Sequence, residues 1–230
     1  MTSSTAKSRT VLITGTSRGL GAELARLYAE DGWRVIACQR EPISSEGSAD
    51  RLALDVADPA SIDALGRSLQ GVAIDLLINN AAVRGDVGGL AALEPGDFLD
   101  VMRVNALAPL LVTRALLPNL RAGKQTVVAN ISSRAGSLAE GTLDDDDGDY
   151  AYRCSKAALN MATVKLAQDL KRDGISVISL HPGWVQTDMG GNDAVVSVAE
   201  SAVGLKAIID RTGLADSGSF RAYDGRRVSW

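Results

Sequence analysis

At 230 residues, 46% apolar and 23% charged, the chain has the make-up of one globular domain with a sizeable core. A net charge of −4 without a basic block argues against nucleic acid or an anionic membrane as the main partner. No stretch of about 18 apolar residues runs unbroken, so no membrane span is expected. One histidine and two scattered cysteines offer no zinc set, and no metal is expected.

Residues 1–9 are small and polar, lack the apolar core of a signal peptide, and are expected to form a flexible tail before a single domain over 10–230. Thr10 to Thr14 reads as a buried strand, and Leu20 to Asp31 as a helix with Leu20, Leu24, Leu27 and Tyr28 on one face. Gly32 ends it, and Arg34 to Gln39 and Leu52 to Asp55 are the next strands. Pro59 to Leu69 is helical, Leu76 to Asn79 a strand, and Asp97 to Leu120 one or two helices interrupted near Pro109. Thr126 to Ile131 is a strand, Tyr152 to Leu170 a long helix, and Ile175 to Leu180 a strand. A helix over Ser197 to Arg211 and a short strand over Ser219 to Ala222 close the pattern. This β-α alternation, with strands apolar on both faces, predicts an α/β fold: a single Rossmann-type, doubly wound parallel sheet with helices on both sides. Cys38 and Cys154 are read as buried, reduced thiols of a cytoplasmic protein.

Two local patterns carry chemistry. The first strand runs into Thr14-Gly15-Thr16-Ser17-Arg18-Gly19-Leu20-Gly21 and then a helix. Glycines let backbone approach a pyrophosphate, and the helix N-terminus offers unpaired N–H groups and partial positive charge. The spacing is G-x-x-x-G-x-G, not the common G-x-G-x-x-G. Downstream, Tyr152 and Lys156 lie one turn apart on one helix face, where an ammonium favours the phenolate and makes a tyrosine of pKa about 10 a usable acid or base.

Together these segments make the chain similar to the classical short-chain dehydrogenase/reductase family, over nearly its whole length. Thr14 to Gly21, with Gly15, Ser17, Arg18, Gly19, Leu20 and Gly21, resembles the family's T-G-x-x-x-G-x-G. Asp55-Val56 resembles the adenine contact, and Asn79-Asn80-Ala81-Ala82 the N-N-A-G segment, with Ala82 in place of glycine. Asn105 and Ser133, the latter in an S-x-x-G setting, match the family's asparagine and serine. Pro182-Gly183-Trp184-Val185-Gln186-Thr187 matches the segment that holds the nicotinamide amide. Tyr150 to Lys156, His181 to Asp188 and Tyr223-Asp224-Gly225 to Trp230 look like the C-factor/sniffer-type carbonyl reductase branch.

The resemblance implies hydride transfer between a nicotinamide and a carbonyl or alcohol carbon. Tyr152 would handle the proton, Lys156 would lower its pKa and bind the ribose, Ser133 would polarise the substrate oxygen, and Asn105 would help hold a water. The implied cofactor is NADP(H). The second strand ends without a carboxylate for a ribose 2′-OH, while Arg40 and Arg18 suit a 2′-phosphate. Ser132 beside Ser133 and Tyr150 beside Tyr152 are alternatives that the S-x-x-G frame and the Lys at +4 disfavour. His181 reads as structural.

The acidic run Asp144 to Asp147 with Asp149 would edge the site mouth, either as a solvated loop or as a negative rim favouring a neutral small-molecule carbonyl. The short Met189 to Asn192 stretch implies an open pocket. A homodimer or homotetramer fits the resemblance. An NADP-sensing or signalling protein, in which binding matters more than turnover, is the competing reading. An epimerase or dehydratase of the extended branch would need a longer chain.

Overall fold

Runs of Val, Ile and Leu with no polar face cannot tolerate water on either side, and they become the inner strands of a parallel sheet. The computed structural model describes residues 8–41, 49–141, 148–191 and 193–230. Its strands are β1 (Thr10–Thr14), β2 (Arg34–Gln39), β3 (Ala49–Ala53), β4 (Leu76–Asn79), β5 (Val127–Ile131), β6 (Ser176–His181) and β7 (Phe220–Ala222). They form one sheet in the order β3-β2-β1-β4-β5-β6-β7, every pairing parallel. The helices are α1 (Gly19–Glu30), α2 (Pro59–Ser68), α3 (Pro95–Met102), α4 (Ala108–Ala115), α5 (Leu117–Arg121), α6 (Tyr150–Asp169) and α7 (Val198–Arg211).

Alternation along each strand divides the core. Val11 and Ile13 of β1 pack with Leu24 and Tyr28 of α1 and with Ala202 and Leu205 of α7. Leu12 points to the other face, against Ile62 and Leu65 of α2, Val112 of α4, and Ala167 of α6. Each such fully buried Leu or Ile contributes about 1.5–3 kcal/mol. The doubly wound sheet is therefore the architecture expected from sequence. Strand order reverses between β1 and β4, which opens a crevice at the carboxyl ends of these strands, where ligands bind in such sheets.

Several boundaries differ from expectation. β3 starts at Ala49, not Leu52, because it is an edge strand whose Asp50 and Arg51 face solvent; Asp50 pairs with Arg34 at 2.7 Å. The region read as one or two helices is three, with a π-helical turn over Arg103–Leu107 between α3 and α4. Pro109 is the second residue of α4, directly after the π turn; a break at Leu116 then separates α4 from α5. α6 begins at Tyr150, two residues before Tyr152. Cys154 is exposed, contrary to the buried reading, because it lies on the solvent side of α6; Cys38 is buried, and burial pushes its thiol up to about 12. The acidic residues 144–147, residue 192 and residues 1–7 of the tail lie outside the described residues. No helix among the described residues is long and apolar enough to cross a membrane.

Candidate active site

A cleft of about 1090 Å³ runs across the carboxyl ends of the strands. One end is the glycine loop. Gly15 has φ +73° and Gly19 has φ +58°, the left-handed region that side chains disfavour. A Cβ on Gly21 would stand 2.2 Å from the Gly15 carbonyl oxygen and 2.5 Å from Asn80 Nδ2. Only glycine lets α1 approach this closely. Asn80 Nδ2 donates to the carbonyls of Thr14 and Gly15 at 2.9 and 3.0 Å, and Thr14 Oγ1 accepts from the N–H groups of Asn80 and Ala81. The loop is thus fastened to the end of β4. α1 has no side-chain N-cap and no acid in its first turn, so its orphan N–H groups are left for an anion. These features fit the diphosphate of a dinucleotide, and the cleft exceeds the roughly 300–1,000 Å³ of ordinary small-ligand pockets.

Ser17, Arg18, Leu20, Arg40, Asp55, Val56, Ala81 and Ala82 line this half of the cleft. Arg40 follows β2, which ends on Gln39 and not on a carboxylate, and both side chains line the cleft. Arg18 reaches across the mouth to Asp188 at 2.8 Å, an exposed pair. Asp55 Oδ1 accepts from the N–H of Ala57, closing a turn after β3.

The other half holds the proton-handling groups. Ser133, Tyr152, Lys156, Pro182, Gly183, Val185 and Thr187 all line the cleft. Both serines lie along the cleft, but their settings differ. Ser132 is buried and its hydroxyl donates to Asn160 Oδ1 at 2.7 Å, whereas Ser133 is half-exposed beside Tyr152. Tyr152 lines the cleft, while Tyr150 is 40% exposed and does not. Lys156 is buried; its ammonium donates to the Ile131 carbonyl at 2.9 Å and lies 5.5 Å from the Tyr152 ring centre.

Burial acts on both members of the Tyr152–Lys156 pair. It raises Tyr152 above its ordinary value; a hydrogen bond from Ser133 works against this, Asp149 adds to it and Arg84 opposes it. Burial also pushes Lys156 down to about 8. A desolvated lysine that holds its proton less tightly is a weaker perturber of its neighbour. His181 is pushed down to about 4 by burial and is neutral, with Nδ1 accepting from the Arg134 N–H at 3.3 Å. His181 also lines the cleft.

Asn105 is the predicted residue that does not line the cleft. It sits in the π turn, its Oδ1 accepting from the Val83 N–H at 2.9 Å and its Nδ2 donating to Val83 O and Ser155 Oγ at 2.8 and 3.0 Å. Its side chain ties the segment after β4 to α6, one residue before Lys156.

A family model described as short chain dehydrogenase matches residues 9–195. The chain belongs to the short-chain dehydrogenase family. C-signal of Myxococcus xanthus is 47% identical over 157 residues, which cover 68% of this short-chain dehydrogenase and 93% of that protein. The structure of an NADPH-bound carbonyl reductase from chicken fatty liver superposes with a TM-score of 0.90 at 33% identity, covering 97% of this chain and 99% of the other. Carbonyl reductase Sniffer of D. melanogaster gives a TM-score of 0.89 at 29% identity, covering 97% and 100%.

Sequence reasoning missed Arg84. In this dehydrogenase it lines the cleft, pairs with Asp149 Oδ2 at 3.3 Å and donates to the Met189 carbonyl at 3.5 Å. It joins three chain segments at the site mouth. Its place just beyond the carboxyl end of β4, next to the strand-order reversal, was the available signal. Among the described residues no group of three or more His, Cys, Asp or Glu could hold a metal ion.

Proposed function

We propose that this short-chain dehydrogenase is an NADPH-dependent carbonyl reductase acting on a neutral aldehyde, ketone or quinone. The observation that carries the reading is one continuous cleft with an uncapped glycine-loop helix at one end and Ser133, Tyr152 and Lys156 at the other. When bound, the nicotinamide cofactor supplies the hydride. Arg40 and Arg18 would bind its 2′-phosphate, Arg18 exchanging its pairing with Asp188. Asp55 and Val56, Asn80 to Ala82, and Pro182, Gly183, Val185 and Thr187 complete the holding set by family likeness.

Ser133 donates a hydrogen bond to the substrate oxygen and polarises it. Tyr152 donates its proton to that oxygen as charge develops there. The neutral phenol carries the proton a reductase must give, and burial favours that form over the phenolate. Lys156 orients the ribose, and Asn105 holds α6 in register. The neutral-substrate preference leans on the acidic run 144–147, together with Asp149 on the cleft wall. A cytoplasmic setting accords with the free thiols Cys38 and Cys154, and 10–230 would act as one unit. Exposed Leu99 and Met161, on α3 and α6, suit a homodimer or homotetramer.

NADPH consumption with a panel of aldehydes, ketones and diketones tests the reading. Tyr152→Phe should lower kcat by about 10²–10⁴-fold while leaving NADPH binding intact. The likeness to C-signal supports a second reading, in which cofactor binding serves signalling. Tight NADPH binding without turnover on any carbonyl would favour it.

A further inference from the structure

The turn after Ser133 is gripped from outside by the segment 226–230. Glu140 Oε1 accepts from the Ser229 N–H at 2.7 Å, and its Oε2 from Arg226 at 2.8 Å. Ser137 Oγ donates to the Ser229 carbonyl at 2.7 Å, and the Leu138 N–H to the Trp230 carbonyl at 2.6 Å. Trp230 is itself anchored, its ring stacked on Phe220 of β7 at 5.3 Å. Glu140 is largely buried, with 15% of its side chain exposed, and the two donors hold its carboxyl below the usual range.

The grip reaches the chemistry through the hydrogen-bonded turn that runs from Ser133 to Gly141. Gly141 N–H bonds to Ser137 O, Ser137 N–H to Arg134 O, and Gly136 N–H to Ser133 O, at 2.9, 2.9 and 3.0 Å. The Ala135 N–H donates to Ser133 Oγ itself at 3.2 Å. On the inner side the turn touches the catalytic helix: a Cβ on Gly136 would fall 2.4 Å from the Lys156 carbonyl carbon. The turn is therefore packed between α6 and segment 226–230, and loosening the outer contact frees the serine on the inner one. Glu140 does not line the cleft, so it acts on the reaction from a distance, and the turn that carries Ser133 is the route by which it does so.

We propose that Glu140 is a positioning residue for the hydride-transfer site: by holding segment 226–230 it fixes the Ser133 turn against Tyr152. The proposal rests on the carbonyl-reductase reading. Tyr152 is faced by Ser133, Asp149, Arg84 and Lys156, and of these Ser133 is the one that the strap controls.

Glu140→Ala, Glu140→Gln and Arg226→Ala are compared with wild type by hydrogen exchange over residues 133–141 and by steady-state kinetics in both directions. In Glu140→Ala the turn should exchange about tenfold faster, and kcat should fall about tenfold from the misplaced hydroxyl. The KM for NADPH should be unchanged. The acid-side limb of the alcohol-oxidation pH profile, where Tyr152 must lose its proton to act as base, should move to higher pH, because the Ser133 hydrogen bond that lowers Tyr152 is weakened. Glu140→Gln keeps an acceptor for Ser229 and should recover most of the loss. Arg226→Ala, at a half-exposed side chain, carries the same readouts if Glu140→Ala does not fold. Wild-type exchange in the variants overturns the proposal, as does faster exchange with unchanged kcat and pH profile. A wild-type protein that reduces no carbonyl instead sinks the reductase reading, and the inference with it.

Discussion

Gly21→Ala sets helix propensity against packing, and the two predict opposite signs. In an open helix, alanine for glycine stabilises by about 1 kcal/mol. At Gly21 the new Cβ would stand 2.2 Å from the Gly15 carbonyl oxygen and 2.5 Å from Asn80 Nδ2. Neither neighbour can yield freely. The Gly15 carbonyl belongs to a left-handed turn, and Asn80 Nδ2 already donates to Thr14 O and Gly15 O. Displacing it costs two hydrogen bonds at about 1 kcal/mol each. Overpacking adds about 1–3 kcal/mol before relaxation. After the propensity gain, the net destabilisation is about 2–4 kcal/mol, a fall in Tm of about 4–16 °C for a chain of this size. NADPH affinity should fall by about tenfold or more, since the loop and the α1 N-terminus shift together. Scanning calorimetry and fluorescence titration with NADPH check both. A Tm equal to or above wild type would refute the close-packing account of the loop.

Arg40→Asp should move the kcat/KM preference from NADPH toward NADH by about 10–100-fold, the worth of one charge-assisted hydrogen bond; unchanged selectivity would remove Arg40 from the 2′-phosphate site. Burial pushes Lys156 from its ordinary 10.5 down to about 8, so folding favours its neutral form. The chain is destabilised by about 3 kcal/mol below pH 8, and this is relieved as pH rises toward 10.5. Lys156→Met should therefore raise Tm at neutral pH while abolishing turnover, and calorimetry at neutral and alkaline pH should show the gain shrinking. His181 has a folded pKa of about 4 against 6.5, so its stability contribution is full above pH 6.5 and is lost as pH falls toward 4. His181→Gln should flatten the acid slope of stability between about pH 5 and 6.5, where no other histidine titrates.

What could be read from sequence was what lies within one element or one turn. β1, β2, β4, β5 and β6 are short apolar runs, and their burial follows from composition alone. Tyr152 and Lys156 meet because a helix places them together. β3 was misplaced because an edge strand carries charges where an inner strand carries valine. The π turn over Arg103–Leu107 was invisible because its residues are ordinary helix formers; it shows only when Asn105 is seen bonded to Val83 and Ser155. Arg84 with Asp149, and Glu140 with Ser229, join residues far apart in the chain. No local pattern announces such pairs.

The same distinction bears on the chemistry. Motif spacing says that a tyrosine and a lysine are neighbours, and from that alone one expects the cation to make the phenol more acidic. Burial is a property of the assembled fold, and here it is the larger influence, keeping Tyr152 protonated and weakening the hold of Lys156 on its proton. Both shifts disfavour charge inside the cleft. The groups that moderate the phenol, Ser133 and Arg84, are placed by contacts distant in sequence, so the setting of the proton donor depends on parts of the fold that the motif does not contain.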